Sequence, residues 1–310
     1  MSSTFDLQNE LLDAGLIVDE IKFNELVRCP TIDKPKSKNG WYKAFDNPLM
    51  VTYGNWATGQ KERFIAQKGR TTLSQWEQIQ QHKAESERQA RIEQQENLRK
   101  LNRLLKDCYP IEGTPAERYL KNRGINDLTN GSGALLYCPT LDYWEDGQCT
   151  THPAMIAKVT NRYGQLVSLH RTYLTHDGYK ADVSISKKLM PSAGSMEGVS
   201  IKLGLPIPNT EGTGLMLGIA EGIETALSAS ELYSIPVWSG ISTYGLESFN
   251  PPAGVKQVIF FADNDVNKAG EKAAIKGAKR LQQLGITPRL AMPEYEGDWN
   301  DILQQEKAGK

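Results

Sequence analysis

The sequence has few cysteines, few histidines, no long apolar run and almost no net charge, and each shortage removes a class of protein. Its four cysteines, Cys29, Cys108, Cys138 and Cys149, are far apart with no CxxC pair. Neither a zinc ribbon nor a disulfide framework is indicated, and the thiols are read as reduced. His82, His152, His170 and His176 show no HExxH or other zinc-ligand spacing. No stretch approaches ~18 uninterrupted apolar residues, and the first residues, MSSTFDLQNELLDAG, lack a basic segment followed by an apolar one. The expectation is a cytoplasmic chain, neither exported nor membrane-spanning. Lys and Arg total 36 against 37 Asp and Glu, for a net charge of -1 and a pI near 6.5. Any nucleic-acid binding therefore falls to local basic patches. No GxxxxGK[ST] occurs, which removes a P-loop motor, and no GxGxxG follows a strand.

What is present divides 310 residues into four regions. Residues 1–66 open with Leu7, Leu11, Leu12 and Leu16 at helical spacing and continue into GWYKAFDNPLMVTYGNWATGQ, a small β unit by its alternation and turn residues. Trp41, Tyr42, Phe45, Tyr53 and Trp56 there form either a minor core or a surface for stacking bases. Residues 67–125 are a helical linker region. From about 72 to 107 they hold no Gly or Pro and are rich in Gln, Glu, Lys and Arg, as in a long exposed helix. Its basic residues Arg88, Arg91, Arg99, Lys100, Arg103 and Lys106 belong either to a solvated linker or to a stripe beside a phosphate backbone. PAERYLKNRGI predicts a short helix, with Thr114 as N-cap, Pro115 at its first position and Gly124 as its stop. Residues 126–212 predict short strands in a β-rich lobe carrying Lys158, Arg162, Arg171, Lys180, Lys187, Lys188 and Lys202. From 213 to 310 apolar strands alternate with helices, which implies a small parallel sheet covered by helices.

Ligands bind such sheets at the carboxyl ends of their strands. Glu221 follows the first strand, GLMLGIA; Asp263 and Asp265 end the third, QVIFFAD; Asp298 and Asp301 lie in EGDWNDIL just past the fourth. Clustered carboxylates suit one or two magnesium or manganese ions, which prefer oxygen ligands and can serve phosphoryl transfer. Each piece has a plainer use, since an acid after a buried strand also suits the amino end of the next helix. DNDVNKAGEKAA partly resembles a calcium loop, but Lys268 and Ala274 stand where Gly and Glu are needed. A haloacid-dehalogenase-like DxD phosphatase is a rival whose nucleophile strand normally opens the domain, whereas here Glu221 precedes the Asp pair.

Taken in order, AEGIETALSA, FFADND and GDWNDIL resemble the Toprim domain shared by DnaG-type primases, topoisomerases and some nucleases. The resemblance implies metal binding by Glu221, Asp263 and Asp265, more loosely by Asp298, with Glu224 and Asp301 assisting. Upstream, HPAMIAKVTNRYGQLVSLHRTYLTHDGYKA and SKKLMPSAG resemble the lobe before Toprim in primases of plasmids, phages and mobile elements. That places His170, Arg171, Lys187 and Lys188 against nucleotide or DNA. RCPTIDKPKSKNGWYKAF resembles the degenerate zinc finger that opens such primases, with only Cys29 left of it and no zinc expected. The implied activity is synthesis of short RNA primers from ribonucleoside triphosphates on single-stranded DNA, with a replicative helicase as partner. A Toprim nuclease and a non-catalytic DNA-binding subunit are the alternatives.

Overall fold

Leu7 and Leu11, one turn apart, are fully buried, and they fix the inner face of helix α1 (Thr4–Asp13). The computed structural model describes residues 4–46, 49–66, 73–131 and 133–309, and divides into a unit Met1–Arg91 and a unit Ile92–Lys310. In the first unit, strands β1 (Leu26–Cys29), β2 (Gly40–Asp46), β3 (Leu49–Asn55) and β4 (Gln60–Ile65) form an antiparallel sheet in chain order. Tyr42 and Tyr53 join Leu7, Leu11 and Leu16 in its core, and Trp41 and Phe45 are also buried. Of the five aromatic residues only Trp56 is exposed, tilted on Trp41 with ring centroids 5.4 Å apart. Most of this cluster is therefore core. Cys29 is buried too, and desolvation pushes its thiol up to about 11, as in a structural cysteine.

Helix α2 (Leu73–Lys106) is a single 34-residue element. The reading of a merely solvated linker fails for its C-terminal end. Leu101 is fully buried with Tyr143, Ala154, Ile156 and Leu169, Leu104 and Leu105 pack beside it, and Asn97 donates to the Ser192 carbonyl at 3.0 Å. Arg99, Lys100, Arg103 and Lys106 stay on the exposed side.

The rest of the second unit comprises β5 (Tyr109–Pro110), α3 (Pro115–Asn122), β6 (Leu135–Glu145), β7 (Gln148–Thr160), β8 (Leu166–Tyr173), β9 (Lys187–Leu189), β10 (Ser200–Ile201), β11 (Ile207–Pro208), β12 (Leu215–Ala220), α4 (Ile223–Tyr233), β13 (Val237–Ser239), α5 (Thr243–Ser248), β14 (Val255–Phe261), α6 (Ala269–Gln283), β15 (Thr287–Ala291) and α7 (Trp299–Ala308). Helix α3 starts as its sequence dictates. Thr114 Oγ1 accepts the Ala116 amide, Pro115 follows, and Gly124 takes φ +77 at the exit. Strands β15, β14, β12 and β13 run parallel, and β10 joins them antiparallel to β7, so one mixed sheet continues through β6 to β5. Strand β8 pairs with β7, and β9 with β8. The α/β part and the β-rich lobe thus share one sheet and one large apolar cluster.

Helix α6 approaches α5 and β14 through Gly277, where an added Cβ would lie 2.4 Å from the Leu246 carbonyl and 2.8 Å from the Phe260 ring. Alanine is the better helix former by about 1 kcal/mol, but forcing a methyl against backbone costs about 1–3 kcal/mol. Gly277→Ala should therefore lower the thermal midpoint, by roughly 2–4 °C for each kcal/mol lost. A midpoint that is unchanged or raised in calorimetry contradicts this packing.

Candidate functional site

Two neighbouring parallel strands in register build the site. Ala220 at the end of β12 lies opposite Phe261 at the end of β14, so Glu221 and Asp263 leave the sheet at one edge. Beyond β15 the chain returns to that edge: Asn264 and Gly297 exchange backbone hydrogen bonds of 3.0 and 3.2 Å, which sets Asp298 beside the Asp263–Asp265 turn. The backbone carbonyl of Glu221 accepts Ser239 Oγ at 2.8 Å and the Ile241 amide at 2.9 Å, tying the end of β12 to the turn after β13. Ile241 takes φ +73, a strained value for a β-branched residue.

Asp263 shows what this convergence does. It is largely buried, its Oδ1 has no hydrogen-bond partner, and its carboxyl is pushed up to about 7 by burial and then by Asp298, Glu221, Asp265 and Asp301. All five acids predicted to bind metal therefore act on one edge. Asp298 and Asp301 also have structural work, as a reciprocal capping box on α7. Asp298 Oδ1 accepts the amides of Asn300 and Asp301 at 2.8 and 2.9 Å, and Asp301 Oδ2 accepts the Asp298 amide at 3.0 Å. A Cβ at Gly297 would stand 2.8 Å from that Oδ2. Among the described residues, no three His, Cys, Asp or Glu side chains are already gathered around one point as a finished metal cage. The donor chemistry does fit a hard divalent cation. The groups are carboxylate oxygens, one is buried without a partner, and their mutual repulsion is what a cation relieves.

Cations adjoin this edge. Glu224, in the first turn of α4, is buried and accepts Tyr119 Oη at 2.6 Å and Lys187 Nζ at 2.7 Å. Burial alone would raise its carboxyl, but the Lys187 charge and the two hydrogen bonds hold it at about 2. His170 is lowered to about 4 by burial, with Lys187 adding to the effect against Glu224, and its Nδ1 has no partner. Its imidazole is neutral at pH 7. Lys180 is lowered by burial and by Lys187, while feeling Glu224, Arg123 and Asp298.

The four residues expected to face nucleotide or DNA do not share one surface. Thr172 lies opposite Lys187, Arg171 opposite Lys188, and His170 opposite Leu189, so the pleat sends neighbours to alternate sides. Lys187 and His170 stand with Glu224. Arg171 donates to Tyr173 Oη at 3.2 Å, and Lys188 lies 3.6 Å from the centre of the Tyr143 ring and donates to the Trp144 carbonyl. Sequence reasoning missed Tyr119 and Arg123. Their i, i+4 spacing in PAERYLKNRGI was the available signal, since it sets both on one side of α3. The Arg123 Nε is buried without a partner.

Residues 216–309 match the family model described as Toprim domain, and residues 95–200 match one described as Domain of unknown function (DUF7146). The C-terminal part of this chain, from β12 to α7, is a Toprim domain. The observed fold is the expected class, an α/β Toprim domain with parallel strands and flanking helices, preceded by a β-rich region. Among solved structures the chain is similar to the primase fragment of the bacteriophage T7 primase-helicase protein, at 17% identity over 65% of this chain and 76% of that one, with a TM-score of 0.42. It is also similar to the zinc-binding and RNA polymerase domains of the Aquifex aeolicus primase, at 13% identity over 100% and 84%, TM-score 0.44. A third is the RNA polymerase domain of Mycobacterium tuberculosis primase DnaG, at 14% identity over 67% and 77%, TM-score 0.41. No curated protein matches the sequence. No helix among the described residues is long and apolar enough to cross a membrane.

Two stability predictions follow from the charges. The Asp263 carboxyl rises from its ordinary 3.8 to about 7, so its contribution is favourable at low pH and is lost as pH rises through 7. Without divalent metal, Asp263→Asn should match the unaltered protein near pH 4 and melt several degrees higher at pH 8, where each kcal/mol is worth roughly 2–4 °C. Equal midpoints at pH 8 would refute the burial and crowding of this carboxyl. Glu224 has the opposite sign: its stabilisation is present above the ordinary 4.5 and is lost as pH falls to about 2. Glu224→Gln should cost about 1.5–3 kcal/mol at pH 7 in denaturant unfolding, with the gap narrowing below pH 4.5. A gap independent of pH would contradict the Lys187 pairing.

Proposed function

We propose that the protein is a DNA primase of the plasmid, phage and mobile-element type, a nucleotidyltransferase that makes short RNA primers on single-stranded DNA from ribonucleoside triphosphates. The observation that carries this reading is the juxtaposition, within a Toprim domain, of a crowded carboxylate edge and a cationic flank. Asp263 is pushed up by burial and then by four neighbouring acids, while Lys187 pairs with Glu224, three residues after Glu221.

Magnesium, or manganese in its place, held by Glu221, Asp263 and Asp265 with Asp298 and Asp301 at the margin, would supply neutralisation of triphosphate charge and of the departing pyrophosphate. The chain's own side chains do the rest. Glu224 and Tyr119 fix Lys187 from behind, so its ammonium is positioned before a phosphate arrives and less ordering remains on binding. Lys180 and Arg123 extend that positive flank. His170, being neutral, offers a hydrogen bond and no charge. Attack by the primer hydroxyl on the α-phosphate is thus served by carboxylates on one side of the triphosphate and cations on the other. Arg171 and Lys188, on the other face of β8 and β9, are assigned to the template backbone, and the exposed Trp56 to stacking on a template base. A replicative helicase is the proposed partner that would separate the strands ahead of it.

The test is incubation of purified protein with single-stranded DNA, labelled ribonucleotides and magnesium, followed by sizing of the products. Short RNA from the unaltered protein is expected, with Asp263→Ala and Asp265→Ala each reducing it at least about 100-fold while leaving DNA binding largely intact. Synthesis retained by both variants would sink the acid assignment. Metal-dependent loss of the template without synthesis would identify a Toprim nuclease, and neither activity would identify a binding subunit.

A further inference from the structure

Cys108 and Cys138 are 30 positions apart in sequence and neighbours in space. Strand β5 pairs with β6 in the register Tyr109 with Tyr137 and Pro110 with Leu136, so the next step along this antiparallel ladder sets Cys108 against Cys138. Opposed residues of such a ladder have Cα atoms about 4.5–5.5 Å apart, inside the roughly 4.4–6.8 Å span that a disulfide bridges. Both side chains belong to the apolar cluster under the end of α2, Cys138 buried and Cys108 partly exposed. Cys108 Sγ donates to the Leu104 carbonyl at 3.2 Å and Cys138 Sγ to the Thr140 carbonyl at 3.3 Å, so each thiol is anchored on its own segment of chain. The closeness of the two sulfurs lowers Cys138 to about 7 and raises Cys108, where burial adds to it.

We propose that Cys108 and Cys138 are an oxidative modification site, closing to a reversible disulfide that staples the turn after α2 to β6. With hydrogen peroxide as oxidant, the thiolate of one cysteine attacks a peroxide oxygen and becomes a sulfenic acid, with release of water. The sulfur of the other then displaces the hydroxyl, which leaves as a second water. Overall, two thiols and one peroxide give one disulfide and two waters. The closed loop contains α3, with Tyr119 and Arg123, so the staple constrains the segment that supports Glu224. Cys29 is buried in the first unit, and Cys149 is exposed at the start of β7.

The experiment treats the full chain with stoichiometric hydrogen peroxide, then measures intact mass, maps peptides and counts thiols after unfolding. The expected result is a monomer lighter by two hydrogens (~2 Da), a Cys108–Cys138 cross-linked peptide, and two of the four thiols lost. The thermal midpoint should rise by about 5 °C or more, and dithiothreitol should reverse it. Cys149→Ser should behave like the unaltered protein, and Cys108→Ser should abolish the cross-link. Oxygen adducts on either cysteine without a cross-link, a bridge to Cys149, a covalent dimer, or four surviving thiols would each overturn the assignment.

Discussion

The parallel pairing of β12 with β14 is the constraint from which the site follows. Once Ala220 sits opposite Phe261, Glu221 and Asp263 must emerge together, and the Asn264–Gly297 bridge brings Asp298 to them. Apolar burial drives the pairing, since Leu217, Ile219, Val258, Phe260 and Phe261 are almost wholly inaccessible. The carboxylates are carried along by it. Hydrophobic stabilisation of the sheet thus holds together like charges that would separate in water, and the conflict registers at Asp263.

The second organising interaction answers the first. Glu224, three residues after Glu221, is as buried as a core leucine, yet stays ionised because Lys187 and Tyr119 reach it from β9 and α3. A buried pair of this kind adds little net stability but is costly to break from one side. Its value lies in joining three elements that are remote in sequence, and in leaving Lys187 in one orientation beside the acid edge. Continuity of the sheet through β10 makes this joint stiff, since the strand carrying Lys187 and the strand that ends just before Glu221 belong to the same hydrogen-bonded surface.

The acids were legible in sequence because each follows a short apolar strand, and strand order alone assigns them to one edge. Thr114, Pro115 and Gly124 were equally plain, their roles being local. The basic residues were less so. His170, Arg171, Lys187 and Lys188 look like one patch in sequence, but a strand alternates faces, and only the register with β8 tells which belong together. The docking of Leu101 was obscured by the polar composition of α2, whose apolar residues gather in its last turns. Spacing along the chain also concealed the Cys108–Cys138 pair, because a two-residue edge strand sets the contact.

The most direct test of the central claim is a pH titration of the Asp263 carboxyl by carbon-13 NMR, with and without magnesium. Burial together with crowding at the strand ends predicts a midpoint near 7 in metal-free protein, falling by a unit or more, to about 6 or below, when magnesium takes up the charge. A midpoint near about 4 that magnesium leaves unchanged would mean that the acids neither repel one another nor share a cation, and the account of this edge would fail.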